Sequence, residues 1–119
     1  MNRYLLDTNS IIYALNGGLK LPDNDYIISV ITEIELLSYS KLSQQDEYML
    51  KSALSHFRHI GLSDDIKIET INIRKHSNLK LPDSLIAATA NVENAILVTS
   101  DKRLLNSNIV KTVELDQIV

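Results

Sequence analysis

The sequence predicts an α/β fold, a three-layer α/β/α sandwich built around a parallel central sheet. Short, continuous apolar runs alternate along the chain with segments whose apolar residues recur at helical spacing. The apolar runs contain almost no polar residues, which is typical of strands that are buried on both faces of a sheet. Buried strands that alternate with helices indicate a parallel sheet covered by helices on both sides.

The individual elements are predicted from length, composition and periodicity. Five short apolar segments are predicted strands: residues 4–6, 26–30, 59–62, 95–98 and 110–115. Five segments are predicted helices: residues 9–16, a segment opening at 32, 44 to about 60, 65–73 and 82–92. Segment 65–73 also alternates like a strand, and we interpret it as a helix because basic residues lie where its C-terminus would be.

Composition limits the class of protein. The chain has 119 residues, a formal net charge of -3 and no cysteine, so we expect a single domain over residues 1–119 without disulfides, thiolate metal sites or a cysteine nucleophile. The acidic balance argues against binding to nucleic acid through a large basic surface. The apolar run before Asp7 is too short for a signal peptide, and no run approaches the roughly 18 residues of a membrane span. We therefore expect a cytoplasmic protein without a membrane partner.

Four acidic residues fall at related positions in this pattern. Asp7 and Asp101 each follow a predicted strand, while Glu35 and Asp83 are expected in the first turns of helices. In a parallel sheet with right-handed crossovers, strand ends and the starts of the following helices share one edge. Ligand sites of open α/β sheets lie at that edge. The four carboxylates are therefore expected to converge, although they are far apart in the chain.

Each acid also has a purely structural explanation. Asp7 and Asp101 are suitable helix caps, and Asp83 complements a helix dipole. Thr32 and Glu35 have the spacing of a capping box, in which two side chains satisfy backbone donors. Helix caps, however, need one acceptor each, and serine or threonine serves as well. Four carboxylates around one cavity repel each other unless a cation holds them.

A hard divalent cation with oxygen ligands, Mg²⁺ or Mn²⁺, is the natural partner of such a cluster. An ion of this kind activates water and neutralises charge on a phosphodiester, which points to metal-dependent hydrolysis of nucleic acid. Thr8, Asn9 and Ser100 flank two of the acids and are candidates for orienting carboxylates or water, or for simple turn and cap roles. Glu33 lies two positions from Glu35 on the same predicted helix, faces another direction, and is expected to be solvated.

The segments around these acids resemble four motifs of the PIN-domain ribonucleases, especially VapC-type toxins of toxin–antitoxin pairs. They are LLDTNSIIY, ITEIEL, LPDSLIAATA and LVTSD, at residues 5–13, 31–36, 81–90 and 97–101. The resemblance covers nearly the whole chain, with the motifs in the family's order. It implies a PIN fold with the first strand central, and Mg²⁺ or Mn²⁺ bound through Asp7, Glu35, Asp83 and Asp101 for endonucleolytic cleavage of RNA. It also implies a homodimer and a small antitoxin protein whose tail covers the active site.

Two features depart from the family pattern. Family members often have an acid and then a phenylalanine where this chain has Arg103 and Leu104, and often a glycine near Tyr39. Arg103 lowers the negative charge beside the predicted site and offers a contact to phosphate, which bears on whether a second metal binds.

Two other functions compete with a nuclease. A PIN-like fold retained only as a binding module would have no reason to hold four repelling acids together. A receiver-like phosphoacceptor domain shares the length and the acidic edge, but it needs adjacent acids after its first strand, where this chain has Asp7 alone.

Overall fold

A five-stranded sheet forms the middle layer of the molecule in the computed structural model, which describes residues 2–119. Its strands are Arg3–Leu6 (β1), Asp25–Ser29 (β2), Arg58–Ile60 (β3), Ile96–Val98 (β4) and Thr112–Val113 (β5). Their order is β3-β2-β1-β4-β5, and every neighbouring pair is parallel. The predicted parallel sheet and the central position of the first strand are thus confirmed.

Helices connect the strands and cover both faces of the sheet. They are Thr8–Asn16 (α1), Val30–Leu37 (α2), Gln44–Leu54 (α3), Asp64–Lys75 (α4), Leu81–Val92 (α5) and Lys102–Leu105 (α6), and a 3-10 turn follows at Leu115–Gln117. The ambiguous segment 65–73 is helical, as predicted. Ser63 caps α4, and Arg74 and Lys75 lie in its last turn, where cations interact favourably with the helix dipole.

Two apolar clusters, one on each face of the sheet, form the core. Successive strand residues point to opposite faces, so neighbouring leucines and isoleucines divide between the clusters. One cluster joins the sheet to α4, α5 and α6 through Leu5, Ile27, Leu97, Ile66, Ile86 and Leu104. The other joins it to α1, α2 and α3 through Leu6, Ile28, Val98, Ile11, Leu36 and Leu54. This is the predicted three-layer sandwich.

Two predicted helix boundaries are wrong. Helix α3 ends at Leu54 instead of continuing to about residue 60, because the chain turns and residues 58–60 pair with the edge of β2. Helix α2 begins at Val30, a residue predicted to end the second strand, because the Ser29 side chain accepts a hydrogen bond from the Ile31 amide and caps the helix there. Within residues 2–119, no helix is long and apolar enough to cross a membrane.

Candidate metal and active site

Asp7 lies where β1 passes into α1, at the centre of the sheet's carboxyl edge. Its Oδ1 accepts a hydrogen bond from the Ser10 amide at 2.8 Å, and its own amide donates to the Val98 carbonyl at 3.1 Å. The Ser10 hydroxyl donates to the same carbonyl at 3.0 Å and ties α1 to β4. Asp7 is therefore the cap of α1 and is only 8% exposed. Capping uses one carboxylate oxygen, and a carboxylate has a second.

Glu35 reaches this edge from α2, but not from the position that the sequence predicted. Because α2 begins at Val30, Glu35 lies in its second turn, and the predicted capping box with Thr32 is wrong. Thr32 is instead fully buried, with its hydroxyl 3.4 Å from that of Thr8. The Thr8 hydroxyl donates to Glu35 Oε1 at 2.7 Å. Thr8 thus orients the carboxylate of Glu35.

Glu33 points away from the four acids. Its Oε2 lies 3.1 Å from Nδ1 of His59, a residue of the edge strand β3. The expectation that Glu33 is merely solvated is therefore wrong, because the edge strand brings an imidazole within hydrogen-bonding distance. The expectation that Glu33 and Glu35 face different directions is confirmed.

Asp83 lies in the first turn of α5, as predicted, directly after Pro82. The cap position of α5 is Lys80, whose side chain makes no capping hydrogen bond, so the carboxylate of Asp83 is the negative group at this helix N-terminus. Burial raises the pKa of Asp83, the cation of Arg103 opposes that rise, and the charges of Asp101, Glu35 and Asp7 add to it. The charges of the other three acids therefore all act on Asp83.

Asp101 caps the short helix α6, as the structural explanation anticipated. Its Oδ1 accepts a hydrogen bond from the Arg103 amide at 2.9 Å, and its amide donates to the hydroxyl of buried Thr99 at 3.0 Å. Hydrogen bonds from the Arg103 side chain, at 3.3 Å from Nε and 2.9 Å from Nη2, lower the pKa of Asp101. The same Nη2 lies 3.2 Å from Asp83 Oδ2. The guanidinium of Arg103 thus bridges two of the four acids.

Asn9 and Ser100 have a different environment. Both are exposed and line a pocket of about 350 Å³ together with Glu114 and Asp116. Their proposed roles in orienting carboxylates or water stay predictions. Sequence reasoning missed Ser10 as the residue that links α1 to β4, and its position three residues after a capping aspartate was the available signal.

The donor set fits a hard divalent cation in chemistry, because all four candidate ligands offer carboxylate oxygens. The raised pKa of Asp83 also fits, since negative charge here lacks full compensation. Among residues 2–119, no three acidic or histidine side chains stand in a ready-made arrangement for a metal ion. Binding would therefore require the carboxylates to move together.

An apolar groove of about 720 Å³ borders the site between α1, α2 and α3. Ile12, Leu15, Tyr39 and Met49 line it, and all four are exposed large apolar residues. Glu35 lies on its margin. The groove therefore offers a hydrophobic surface that continues into the acidic cluster.

The sheet order and the four acids at its carboxyl edge define a class of small α/β domain that known proteins share. The PIN domain family matches residues 4–108. The chain therefore belongs to the PIN domain family, and within it the similarity is to VapC-type toxins. A comparison with curated protein sequences finds no match.

Solved structures of toxin–antitoxin complexes are similar to this chain over most of their length. A chain of a toxin–antitoxin complex from Klebsiella pneumoniae is 31% identical, with a TM-score of 0.73, and the match covers 84% of this chain and 88% of that one. A chain of VapBC2 from Rickettsia felis, bound to a promoter DNA fragment, is 29% identical, with a TM-score of 0.80 and coverage of 96% and 99%. DNA-bound VapBC from Salmonella typhimurium has 21% identity, a TM-score of 0.78 and coverage of 96% and 98%, and supports the fold alone.

Proposed function

We propose that this chain is a Mg²⁺- or Mn²⁺-dependent endoribonuclease and the toxin of a toxin–antitoxin pair, acting in the cytoplasm. The observation that carries the proposal is the placement of four carboxylates in a PIN domain: Thr8, next to Asp7, holds Glu35, and Arg103 contacts both Asp83 and Asp101. Family membership argues against the receiver-like alternative. A PIN-like module that binds RNA or protein without cleaving remains the competing function.

The four carboxylates would hold the metal ion. When bound, a divalent ion supplies a Lewis acid that activates water and offsets charge on the scissile phosphate. Within the protein, backbone amides at the starts of α1 and α6 donate to Asp7 and Asp101 and fix the directions of these carboxylates. Thr8 keeps the carboxylate of Glu35 oriented toward the same edge.

The antitoxin part of the proposal rests on the relatives and on the apolar groove between α1, α2 and α3. The similar chains from Klebsiella pneumoniae and Rickettsia felis were solved in a toxin–antitoxin complex and as VapBC2. The groove presents Ile12, Tyr39 and Met49 to solvent, and exposed apolar patches of this kind are typical of protein interfaces. An antitoxin segment with apolar side chains would fill it and lie over Glu35. The expected homodimer stays a prediction.

A single-turnover cleavage assay tests the nuclease. The wild-type chain, freed of metal, is incubated with labelled single-stranded and hairpin RNAs, with and without MgCl₂ or MnCl₂. Glu35→Gln is compared with Glu33→Gln, which makes the same chemical change on the same helix but on a side chain that pairs with His59. We expect metal-dependent cleavage by the wild type and by Glu33→Gln, and a loss of at least about 100-fold for Glu35→Gln.

Two outcomes would contradict the proposal. RNA binding without cleavage under any metal condition would favour the non-catalytic module. Equal cleavage by both variants would remove Glu35 from the site, and with it the assignment of the four acids as one ligand group.

A further inference from the structure

We propose that Arg103 is a built-in counterion of the acidic cluster, which a divalent metal ion must displace in order to bind. The inference rests on the proposed metal site, but it concerns a residue outside the candidate ligands. Arg103 would set the metal affinity of this chain by competing for the same carboxylate oxygens.

The contacts of the guanidinium carry the argument. Nη2 of Arg103 lies 2.9 Å from Asp101 Oδ2 and 3.2 Å from Asp83 Oδ2, so one nitrogen contacts a carboxylate of α5 and the carboxylate that caps α6. Nε approaches Asp101 Oδ1 at 3.3 Å. A cation placed between Asp83 and Asp101 would need at least part of the space and of the oxygen electron pairs that Arg103 now uses.

Arg103 contacts Asp101 more extensively than Asp83, but within residues 2–119 Asp83 lacks the backbone or hydroxyl donor that each of the other three acids has. Asp7 accepts a hydrogen bond from a backbone amide, Glu35 from the Thr8 hydroxyl, and Asp101 from the Arg103 amide. Among residues 2–119, the hydrogen bond that Asp83 accepts comes from the guanidinium of Arg103. Asp83 therefore has cationic rather than neutral compensation, and the guanidinium and a metal ion are alternative sources of it.

The position of Arg103 permits the exchange. Helix α6 is held by buried Leu104, while the side chain of Arg103 is 58% exposed. Rotation about its side-chain bonds would remove the guanidinium without moving the Arg103 backbone amide, which donates to the capping carboxylate of Asp101. An exposed ion pair of this kind is also weak enough for a divalent ion to break.

Isothermal titration calorimetry with MnCl₂, at one fixed ionic strength, measures how strongly Arg103 competes with the metal ion. Arg103→Gln removes the cation, Arg103→Lys keeps the charge without the fork-shaped donor set, and Lys102→Gln is the matched control on the same short helix. We expect Arg103→Gln to bind Mn²⁺ roughly three- to tenfold more tightly than the wild type, since an exposed pair no longer has to be broken. Arg103→Lys should lie between the two, and Lys102→Gln should stay within about twofold of the wild type.

Thermal unfolding without metal gives a second, independent measurement. Arg103→Gln should melt below the wild type in metal-free buffer, because the acids lose their counterion, and should gain more from added Mn²⁺ than the wild type does. Equal or weaker Mn²⁺ binding by a folded Arg103→Gln would overturn the role of Arg103 while leaving the metal site intact. An equal gain in affinity for Lys102→Gln would reduce the effect to general charge. If no chain binds Mn²⁺, the proposed function fails, and this inference fails with it.

Discussion

Replacing Asp7 by asparagine or by alanine separates its structural role from its proposed catalytic one. In the wild type, Oδ1 of Asp7 accepts a hydrogen bond from the Ser10 amide at 2.8 Å. Both substitutions remove the negative charge, but asparagine keeps an oxygen that can accept this bond. Asparagine is as good a helix cap as aspartate, whereas alanine at a cap costs about 1–2 kcal/mol. For a chain of this length, 1 kcal/mol shifts the melting temperature by about 3–6 °C. Asp7→Ala should therefore lower it by roughly 3–12 °C.

Asp7→Asn should melt within about 3 °C of the wild type in metal-free buffer, because two small effects oppose each other. The neutral side chain loses its attraction to the dipole of α1, and it no longer repels the other acids. Both variants should lose RNA cleavage. The assays are thermal unfolding by circular dichroism and single-turnover cleavage. Wild-type cleavage by Asp7→Asn would refute the proposed ligand role, and an equal stability loss in both variants would refute the cap argument.

Two further outcomes are expected. Hydrogen bonds from arginines on the two neighbouring strands lower the pKa of Asp25. The ionised carboxylate therefore stabilises the folded state fully above a pH of about 4. This contribution is lost as the pH falls through the lower pKa of the folded state. Urea unfolding should show Asp25→Asn less stable by at most about 1 kcal/mol at pH 7 after solvent screening, and a gap that persists unchanged at low pH would contradict this. Asp83→Asn should melt at or above the wild type without metal, because burial and the neighbouring acids raise the pKa of Asp83 and disfavour its charge at pH 7. That variant should also lose cleavage, and a clearly lower melting temperature would show that its pair with Arg103 outweighs the repulsion.

The sheet could be predicted because its central strands have unbroken apolar sequences. Leu5, Leu6, Leu97 and Val98 are fully buried from both sides, so nothing in these segments competes with the strand interpretation. The edge strand β3 was harder to delimit. Its residues Arg58–Ile60 are mostly exposed, and their pairing with β2 depends on a neighbour far away in the chain, which local periodicity cannot report.

The start of α2 shows how tertiary context overrides local preference. Val30 and Ile31 are β-branched and favour a strand, while Ser29 and Thr32 are both suitable caps. The structure uses Ser29, and the burial of Thr32 beneath Thr8 explains the choice, because a buried hydroxyl in the first turn is not free to cap. The shift moved Glu35 by one helical turn without changing the edge that it faces.

The shared edge of the four acids followed from topology, whereas the ion pairs of Arg103 did not. Helix α6 has four residues, too few for a periodic signal, so the sequence showed an extra positive charge beside the site but not where the guanidinium would lie.

Helix capping and metal binding make compatible demands on these carboxylates. A cap keeps an aspartate ionised and fixed in direction through one oxygen, which are also the conditions that a divalent ion imposes on a ligand. The carboxylates of Asp7 and Asp101 are fixed in direction by the backbone amides of Ser10 and Arg103. Asp83 starts a helix without acting as its cap and has a raised pKa. The free energy that a bound cation would contribute is therefore expected to be largest at Asp83, where the fold supplies least of its own.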